Sequence, residues 1–339
     1  MTPVDVNSGW PVGGLERVEH CPMCGGSDRT LLLGGLADRV FMTAPGRWDL
    51  HRCGGCGSAY LDPRPTPDAL PLAYAGYYTH AGSARAARPA RATIRQKLAN
   101  GYVNWRFGAA LRPAWALGAA AGLLSPGLSG ALDARYRHLP RLAPGARVLD
   151  VGCGAGGFLD LVRASGWTAV GVDFDPEAVK TARARGLDVH VGDIGRLDGE
   201  PGTFDAISFN HVIEHLFSPG KAINQAFRLL RPGGAIHLEL PNVDAIGLEV
   251  FGEDWRGLEP PRHLVLPSRG ALEAALVEAG FERLRFIPID AWRAMVEASQ
   301  EIRGRRLGEG NDLPVTAVRP ERRDDQRAEF FALAARRPL

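Results

Sequence analysis

The chain has 339 residues, 45% apolar and 23% charged, with 40 basic side chains against 38 acidic ones. Such a length and apolar content can bury a large core in two or three domains, and a net charge of +2 excludes the strongly basic balance of an obligate polyanion binder. The first residues, MTPVDVNSGW, hold no basic start followed by an apolar run, so no signal peptide is expected and the cytoplasm is the expected compartment.

In a reducing compartment, clustered cysteine pairs point to metal rather than to disulfides. Four of the five cysteines form two knuckles, 21-CPMCGG-26 and 53-CGGCGS-58. Each C-x-x-C puts two thiolates on one tight turn, and the glycines that follow let backbone amides approach the sulfurs. Cys21, Cys24, Cys53 and Cys56 are therefore expected to hold one structural zinc, with strands and turns between the knuckles. Residues 1–65 read as a zinc-ribbon domain. A closed four-thiolate site has no open position, so this zinc should hold structure rather than do chemistry. A redox C-x-x-C would need a βαβ setting that is absent here.

A proline-rich connector, 62-DPRPTPDALP-71, opens a helical linker or lid over residues 66–140. From Ala69 to Leu132 there is no acidic residue, while Arg85, Arg88, Arg91, Arg95, Lys97, Arg106 and Arg112 all fall there. The uncharged run 113–132 is long enough to span a bilayer, but its Gly, Ala, Ser and internal Pro favour a packed helical hairpin or a substrate lid. No transmembrane span is expected. The stretch 95–112 reads as a solvated helical face, a peripheral membrane contact, or a cap on an anionic acceptor.

From 146 onward the pattern alternates. The buried strand RVLDV runs into a glycine-rich turn at Gly152, Gly154 and Gly156, then into an amphipathic helix. About twenty residues later 168-TAVGVDFDP-176 is a second strand ending in Asp173, placed to accept from both hydroxyls of a ribose. Strands 187-LDVHVGDI-194, with Asp193 near its end, and 203-TFDAISFN-210, ending in Asn210, follow. Helix-forming 219-PGKAINQAFRLLRPGG-234 leads to strand 235-AIHLELPN-242. This is the order of a parallel α/β sheet with ligands at the carboxyl ends of its strands.

Residues 141–290 resemble a class I S-adenosylmethionine-dependent methyltransferase, carried by VLDVGCGAGGF, GVDFDP, the GD pair at 192–193, FDAISFNHVIEHL and LLRPGGAIHLELPN. The resemblance implies a Rossmann-like seven-stranded α/β sheet over 141–339, with 282-ERLRFIPID-290 as strand six, 329-EFFALAARRP-338 as an antiparallel strand seven, and 291–328 as an insertion. It places S-adenosylmethionine on Asp150 and the loop of Gly152, Gly154 and Gly156, which meet the methionine part. Asp173 would take the ribose and Asp193 the adenine amino group, with Asn210 beside the reacting centre. Gly152, Gly154 and Gly157 also satisfy the dinucleotide fingerprint G-x-G-x-x-G, but the RPGG turn and the closing EFFALAARR strand fit the methyltransferase. Cys153, buried in the turn, is expected to be inert.

The stretch 208-SFNHVIEHLFSPG-220 then falls at the mouth of that cleft. His211, Glu214 and His215, spaced i, i+3 and i+4, would share one helix face, and His263 would approach from a loop after strand five. The set resembles the E-x-x-E-H motif with a distant histidine of ubiquinone-pathway O-methyltransferases and small-RNA 2′-O-methyltransferases, where a divalent metal can bind the substrate hydroxyl. Here His211 stands where that pattern has glutamate, which would shift preference from magnesium toward iron, manganese or zinc. One imidazole acting as general base, and plain structural histidines, are the other readings. H-x-x-E-H also matches an inverted metalloprotease signature that belongs to another fold.

A ribbon followed by 74-YAGYYTH-80 and this core resembles a bacterial group that includes sugar C-methyltransferases, which carry a further C-terminal domain. The expectation is therefore O-methylation of a small-molecule acceptor, a hydroxyl of a sugar or natural-product intermediate, with Tyr and Arg of 74–112 capping it. The alternatives are C-methylation of a nucleotide sugar and a zinc-ribbon RNA methyltransferase. Against the latter, residues 1–65 are not strongly basic and do not interleave aromatics with Lys and Arg, so a nucleic-acid partner is not expected. The filled cofactor positions argue against a non-catalytic binding module.

Overall fold

The structure is a computed structural model that describes residues 9–74, 92–289, 291–308 and 327–339. The N-terminal part contributes β1 (Leu15–Glu16), β2 (Arg29–Leu36), β3 (Trp48–Cys53), β4 (Ala59–Leu61) and β5 (Arg64–Pro65). Helices α1 (Ile94–Phe107), α2 (Gly118–Leu124) and α3 (Pro126–Arg135) follow. Thr93 caps α1 by accepting from the Gln96 amide, and Gly108 ends it in the left-handed conformation. The uncharged run of 113–132 is thus two short helices packed beside α1. Among the described residues no helix is long and apolar enough to cross a membrane.

The central part alternates: β6 (Arg147–Val151), α4 (Gly157–Ala164), β7 (Thr168–Asp173), α5 (Pro176–Ala184), β8 (Asp188–Val191), β9 (Phe204–Asn210), α6 (Pro219–Leu229) and β10 (Leu230–Pro241). Then come α7 (Ile246–Phe251), β11 (Val265–Leu266), α8 (Arg269–Glu278), β12 (Glu282–Ile289), α9 (Trp292–Leu307) and β13 (Phe330–Arg336). Seven strands form one sheet in the order β12-β13-β10-β9-β6-β7-β8. Its strands are parallel except β13, which is antiparallel to both β10 and β12. The chain order reverses between β6 and β9, which makes the carboxyl ends of those two strands the place for a ligand crevice.

This is the expected methyltransferase sheet, with two differences of detail. The RPGG segment is not the end of α6: the helix stops at Leu229, and Leu230 already pairs with Phe204 before a bulge that resumes at Ala235. The insertion also carries structure, since α9 occupies 292–307; residues 309–326 lie outside the described set, as do 75–91 with most of the Tyr-rich stretch.

The N-terminal sheet has the order β11-β4-β3-β2. Its last strand comes from far down the chain, with Val265 paired to Tyr60 and Leu266 to Ala59. Beneath it, Trp48, Leu50 and Leu61 share a core with Val243, Phe251 and Trp255 and with Trp292 and Val296 of α9. A separate core, built on Leu149, Val170, Phe209 and Leu238, fills one face of the large sheet under α6 and α8.

Candidate active site

The crevice edge is made by the turn after β6. Gly152 has φ 69°, and a Cβ there would lie 2.4 Å from Val212 Cγ2, so glycine is required both by backbone conformation and by the chain that follows β9. Gly154, at φ 52°, faces open space, with no atom within 4 Å of a built Cβ. Glycine thus serves two ends in one loop. Gly152 lets two segments of the protein meet, while Gly154 leaves backbone bare toward the crevice; Gly156 resembles Gly152, since its Cβ would strike Leu187. Asp173 fixes the loop from β7: its Oδ2 accepts from the Gly154 amide at 2.7 Å and its Oδ1 from the Asp175 amide at 2.9 Å. Burial raises the Asp173 carboxyl above its ordinary value, and the two amides work against that rise.

Asp150 is buried at the end of β6, where its Oδ1 accepts from Ser208 Oγ at 3.0 Å and pairs with Arg137. Arg137 also donates to Ser208 Oγ at 2.6 Å and stands 3.8 Å from the centre of the Phe158 ring. Asp193 uses one oxygen to cap the turn at Ile194–Leu197, accepting from the Gly195 amide at 2.9 Å. Asn210 closes β9, opposite Glu239 of β10.

Beyond Asn210 the backbone departs from the expected helix. His211 sits at φ 54°, its amide donating to the Glu239 carbonyl at 2.8 Å, and only a single 3-10 turn, Ile213–His215, follows. Because that bond extends the β9–β10 ladder by one residue and then bends the chain, His211 does not share a face with His215. Glu214, His215 and His263 come together instead, each offering a ligand atom within 4.8 Å of the others. His263 Nδ1 lies 2.9 Å from the Gly257 carbonyl and His215 Nδ1 lies 3.0 Å from the Arg262 carbonyl. A carbonyl only accepts, so each Nδ1 carries a proton, and Nε2 is the nitrogen left for a ligand when the ring is neutral. Glu214 is fully buried, and neither of its carboxylate oxygens has a hydrogen-bond donor within the described residues. His211 forms a neighbouring row, with Nδ1 3.5 Å from Glu214 Oε1 and Nε2 3.6 Å from Glu239 Oε1, and with Glu239 Oε2 3.5 Å from His237 Nε2.

The N-terminal part builds the outer wall of this site. Tyr74 Oη lies 3.0 Å from His215 Nδ1 and its ring packs edge-on to Phe174. Arg262, fully buried, pairs with Asp38 and donates to the Ala73 carbonyl at 2.7 Å and to Thr43 Oγ1 at 3.2 Å. Asp38 in turn accepts from the amides of Phe41, Thr43 and Ala44, closing the loop that receives the arginine. Further out, Cys21 Sγ and Cys56 Sγ are 3.6 Å apart, Cys24 Sγ and Cys53 Sγ 3.5 Å apart, and all four sulfurs lie within 4.8 Å of one another. Tetrahedral ligation at about 2.3 Å per Zn–S bond requires sulfur separations of about 3.8 Å, which this set fits. Amides of Gly25 and Gly57 close the two knuckles onto the Cys21 and Cys53 carbonyls.

A family model described as a methyltransferase domain matches residues 129–285. A ubiquinone biosynthesis O-methyltransferase of Xanthomonas campestris pv. campestris is 32% identical over 165 residues, covering 44% of this chain and 69% of that protein. The chain belongs to the S-adenosylmethionine-dependent methyltransferases. A probable S-adenosylmethionine-dependent methyltransferase of Mycolicibacterium smegmatis is 33% identical over 109 residues, 32% of this chain and 42% of its own. Among solved structures, an S-adenosylmethionine-dependent methyltransferase from Archaeoglobus fulgidus aligns with a TM-score of 0.44 at 19% identity, over 63% of this chain and 95% of that one.

The site of this methyltransferase has an uneven electrostatic landscape. Burial pulls His211 down, yet Glu214 and Glu239 beside it outweigh that and push it up to about 10. His263 goes the other way, held well below its ordinary value by burial and by neighbouring His215. Glu214 stays below the usual carboxylate range despite its burial, because His211, His215 and His263 surround it. Cys153 is buried, which drives its thiol upward. Sequence reasoning missed Glu239, Arg137, Arg262 and Asp38, and placed Tyr74 in an acceptor cap without its histidine partner. Glu239 left a trace, as a charged residue within the apolar strand LELP; Arg137, Arg262 and Asp38 signal nothing until the chain folds.

Proposed function

We propose that the methyltransferase moves the methyl group of S-adenosylmethionine to a hydroxyl of a small-molecule acceptor, with Glu214, His215 and His263 as ligands of a catalytic divalent cation. The observation that carries this reading is Glu214: a fully buried carboxylate without a donor on either oxygen, beside two imidazoles whose Nδ1 atoms are tied to carbonyls. A buried carboxylate with no hydrogen-bond donor is costly even with the His211 cation 3.5 Å away, and two oriented imidazoles plus one carboxylate are a ligand set for a transition metal with open positions. When bound, such a cation supplies a Lewis acid that lowers the pKa of an acceptor hydroxyl. The 32% identical relative, named as an O-methyltransferase, supports oxygen as the accepting atom.

In this reading the chain's own residues position and protect. Gly154 and Asp173 hold the nucleoside and methionine parts of the cofactor, with Asp193 toward the adenine and Asn210 beside the reacting centre. Methyl transfer is an in-line displacement, so the main requirement is alignment of acceptor oxygen, methyl carbon and sulfur. His211 is already protonated near neutral pH and cannot take the acceptor's proton; it serves as the counter-charge to Glu214 and Glu239. His263, kept neutral, is the imidazole able to take the proton if no cation is engaged. We read residues 1–65 as a zinc-stabilised ribbon, 66–140 as the linker or lid, and 141–339 as the methyl-transferring part.

The test is product formation from labelled S-adenosylmethionine and a metabolite extract, followed by mass spectrometry of the labelled product. A methyl ether, formed by wild type and lost in Glu214→Gln, is the expected result. A methylated carbon, a methylated RNA, or full activity in Glu214→Gln would overturn the reading.

A further inference from the structure

The large sheet has a second face. On β10, β13 and β12, Ile236, Leu238, Leu333 and Phe286 point into the core under α6 and α8. Because side chains alternate along a strand, His237 of β10, Ala334 and Arg336 of β13, and Arg283 and Arg285 of β12 point the opposite way. There they meet Arg106 of α1 and Arg141, and together line a cavity of about 370 Å³. Ala334 contributes only a methyl group, so the middle of the floor stays low while the arginines form the walls.

The charge in this cavity is not balanced from within. Arg106 is 4.0 Å from Asp133, and Arg141 and Arg336 donate to main-chain carbonyls of Trp105 and Gly233, which orients them without neutralising them. Among the described residues no carboxylate forms an ion pair with Arg283, Arg285 or Arg336. Burial and the Arg283 charge lower the Arg336 pKa, as expected where cations face one another. In the floor, His237 is 1% exposed and neither ring nitrogen has a hydrogen-bond partner, Glu239 Oε2 standing 3.5 Å away.

Guanidinium forks match the oxygens of phosphate in charge and in planar geometry. The cavity far exceeds the roughly 30 Å³ share of a single water and falls at the small end of organic-ligand sites, about 300–1,000 Å³. It leaves room for a phosphate and part of what bears it. We propose that this pocket binds the phosphate end of a phosphorylated small molecule, with Arg283, Arg285 and Arg336 as the anion clamp and His237 as a further donor. The site lies at the Ala235 end of β10, level with Val148 of β6, four residues before Gly152. It communicates with the candidate active site along β10, because His237, Glu239, His211 and Glu214 form a row of alternating imidazoles and carboxylates on one face. At about 3.3 Å per residue, Ala235 and Glu239 are roughly 13 Å apart. The phosphate belongs either to the methyl acceptor itself, lying along that row, or to a separate effector; only the first depends on the function proposed above.

Calorimetry on the full chain in chloride-poor buffer, with inorganic pyrophosphate as probe, tests the site. We expect saturable binding that Arg283→Ser with Arg285→Ser weakens by about 100-fold, on the scale of tenfold for each charge-assisted contact removed. The paired lysine variant should recover only part of it, since the fork geometry is lost. S-adenosylmethionine affinity must stay at the wild-type value in both variants, which reports an intact fold. No heat up to about 10 mM pyrophosphate, or binding indifferent to the double serine variant, would overturn the proposal. The source is settled by labelling: phosphatase treatment of the metabolite extract abolishes the methylated product if the acceptor carries the phosphate. If a separate effector does, the product persists and pyrophosphate alters its rate. A protein that binds pyrophosphate yet methylates nothing in any extract sinks the proposed function and leaves this site standing.

Discussion

Two clusters in this molecule gather metal-capable donors, and they are built in opposite ways. Cys21, Cys24, Cys53 and Cys56 lie on two local turns of one small sheet, each knuckle closed by its own glycine amide. Glu214, His215 and His263 are brought together from a turn after β9 and a loop after β10, and are steadied from the N-terminal part by Tyr74 and by Asp38, which pairs with Arg262 of that loop. The first set has its geometry encoded by spacing and is complete once two turns form. The second exists only when both halves of the chain are packed, and its carboxylate has His211 as counter-charge but no hydrogen-bond donor among the described residues. A local, closed cluster suits structure, while an assembled, open one suits chemistry.

The sharpest way to break this contrast is at the cysteines. Structural zinc contributes on the order of 10 kcal/mol in small zinc-dependent folds, so Cys24→Ser with Cys56→Ser should take bound zinc from one per chain to none and expose residues 9–65 to protease. Full metal content in that variant would refute the closed site. Removing Glu214 should separate chemistry from fold: Glu214→Gln is expected to cut turnover by about 10²–10⁴-fold while the melting curve and cofactor affinity hold. Brief EDTA treatment should abolish activity, with manganese or iron restoring it, and should leave the sulfur-bound metal in place.

The link between the clusters is the next target. Arg262→Met alone strands Asp38 and should cost about 3–5 kcal/mol by denaturant titration, whereas adding Asp38→Asn, which removes the charge but keeps an acceptor for the loop amides, should recover much of it. Equal loss in the single and double variants would show that the pair does not join the two parts. A smaller effect is expected with Asp173→Ala, which should weaken S-adenosylmethionine about 10–100-fold by calorimetry without changing zinc content. The smallest is acid sensitivity. Burial pulls the Asp38 carboxyl up, but Arg262 and the amides of Ala44 and Thr43 outweigh it and leave it below its ordinary 3.8. Its contribution is therefore fully present above the ordinary value and is lost as pH falls through the depressed one, so Asp38→Asn should flatten the acid limb of a stability profile.

The two clusters were also unequally legible in sequence. Paired C-x-x-C spacing states its own geometry, and the Val-rich strands with glycine turns state theirs, because both depend on neighbours in the chain. His211, Glu214, His215 and His263 were legible as residues but not as an arrangement. Their spacing suggested a helix, while the Glu239 carbonyl captures the His211 amide and turns the chain into a left-handed step. Tyr74, Arg262 and Arg137, and Asp38 in its pairing with Arg262, act through partners distant in sequence, and no periodicity announces such pairs.

The strand exchange between β4 and β11 has a temporal consequence. Tyr60 must wait for Val265, about 200 residues later, which at roughly 5–20 residues per second of synthesis is about 10–40 s on the ribosome. During that interval the edge of β4 has no neighbour, and open strand edges are templates for mispairing with other chains. Cysteine turns that close locally, within the first 56 residues, would keep β2 and β3 in register through the delay. Their value then lies as much in how the nascent protein survives its own production as in the finished fold.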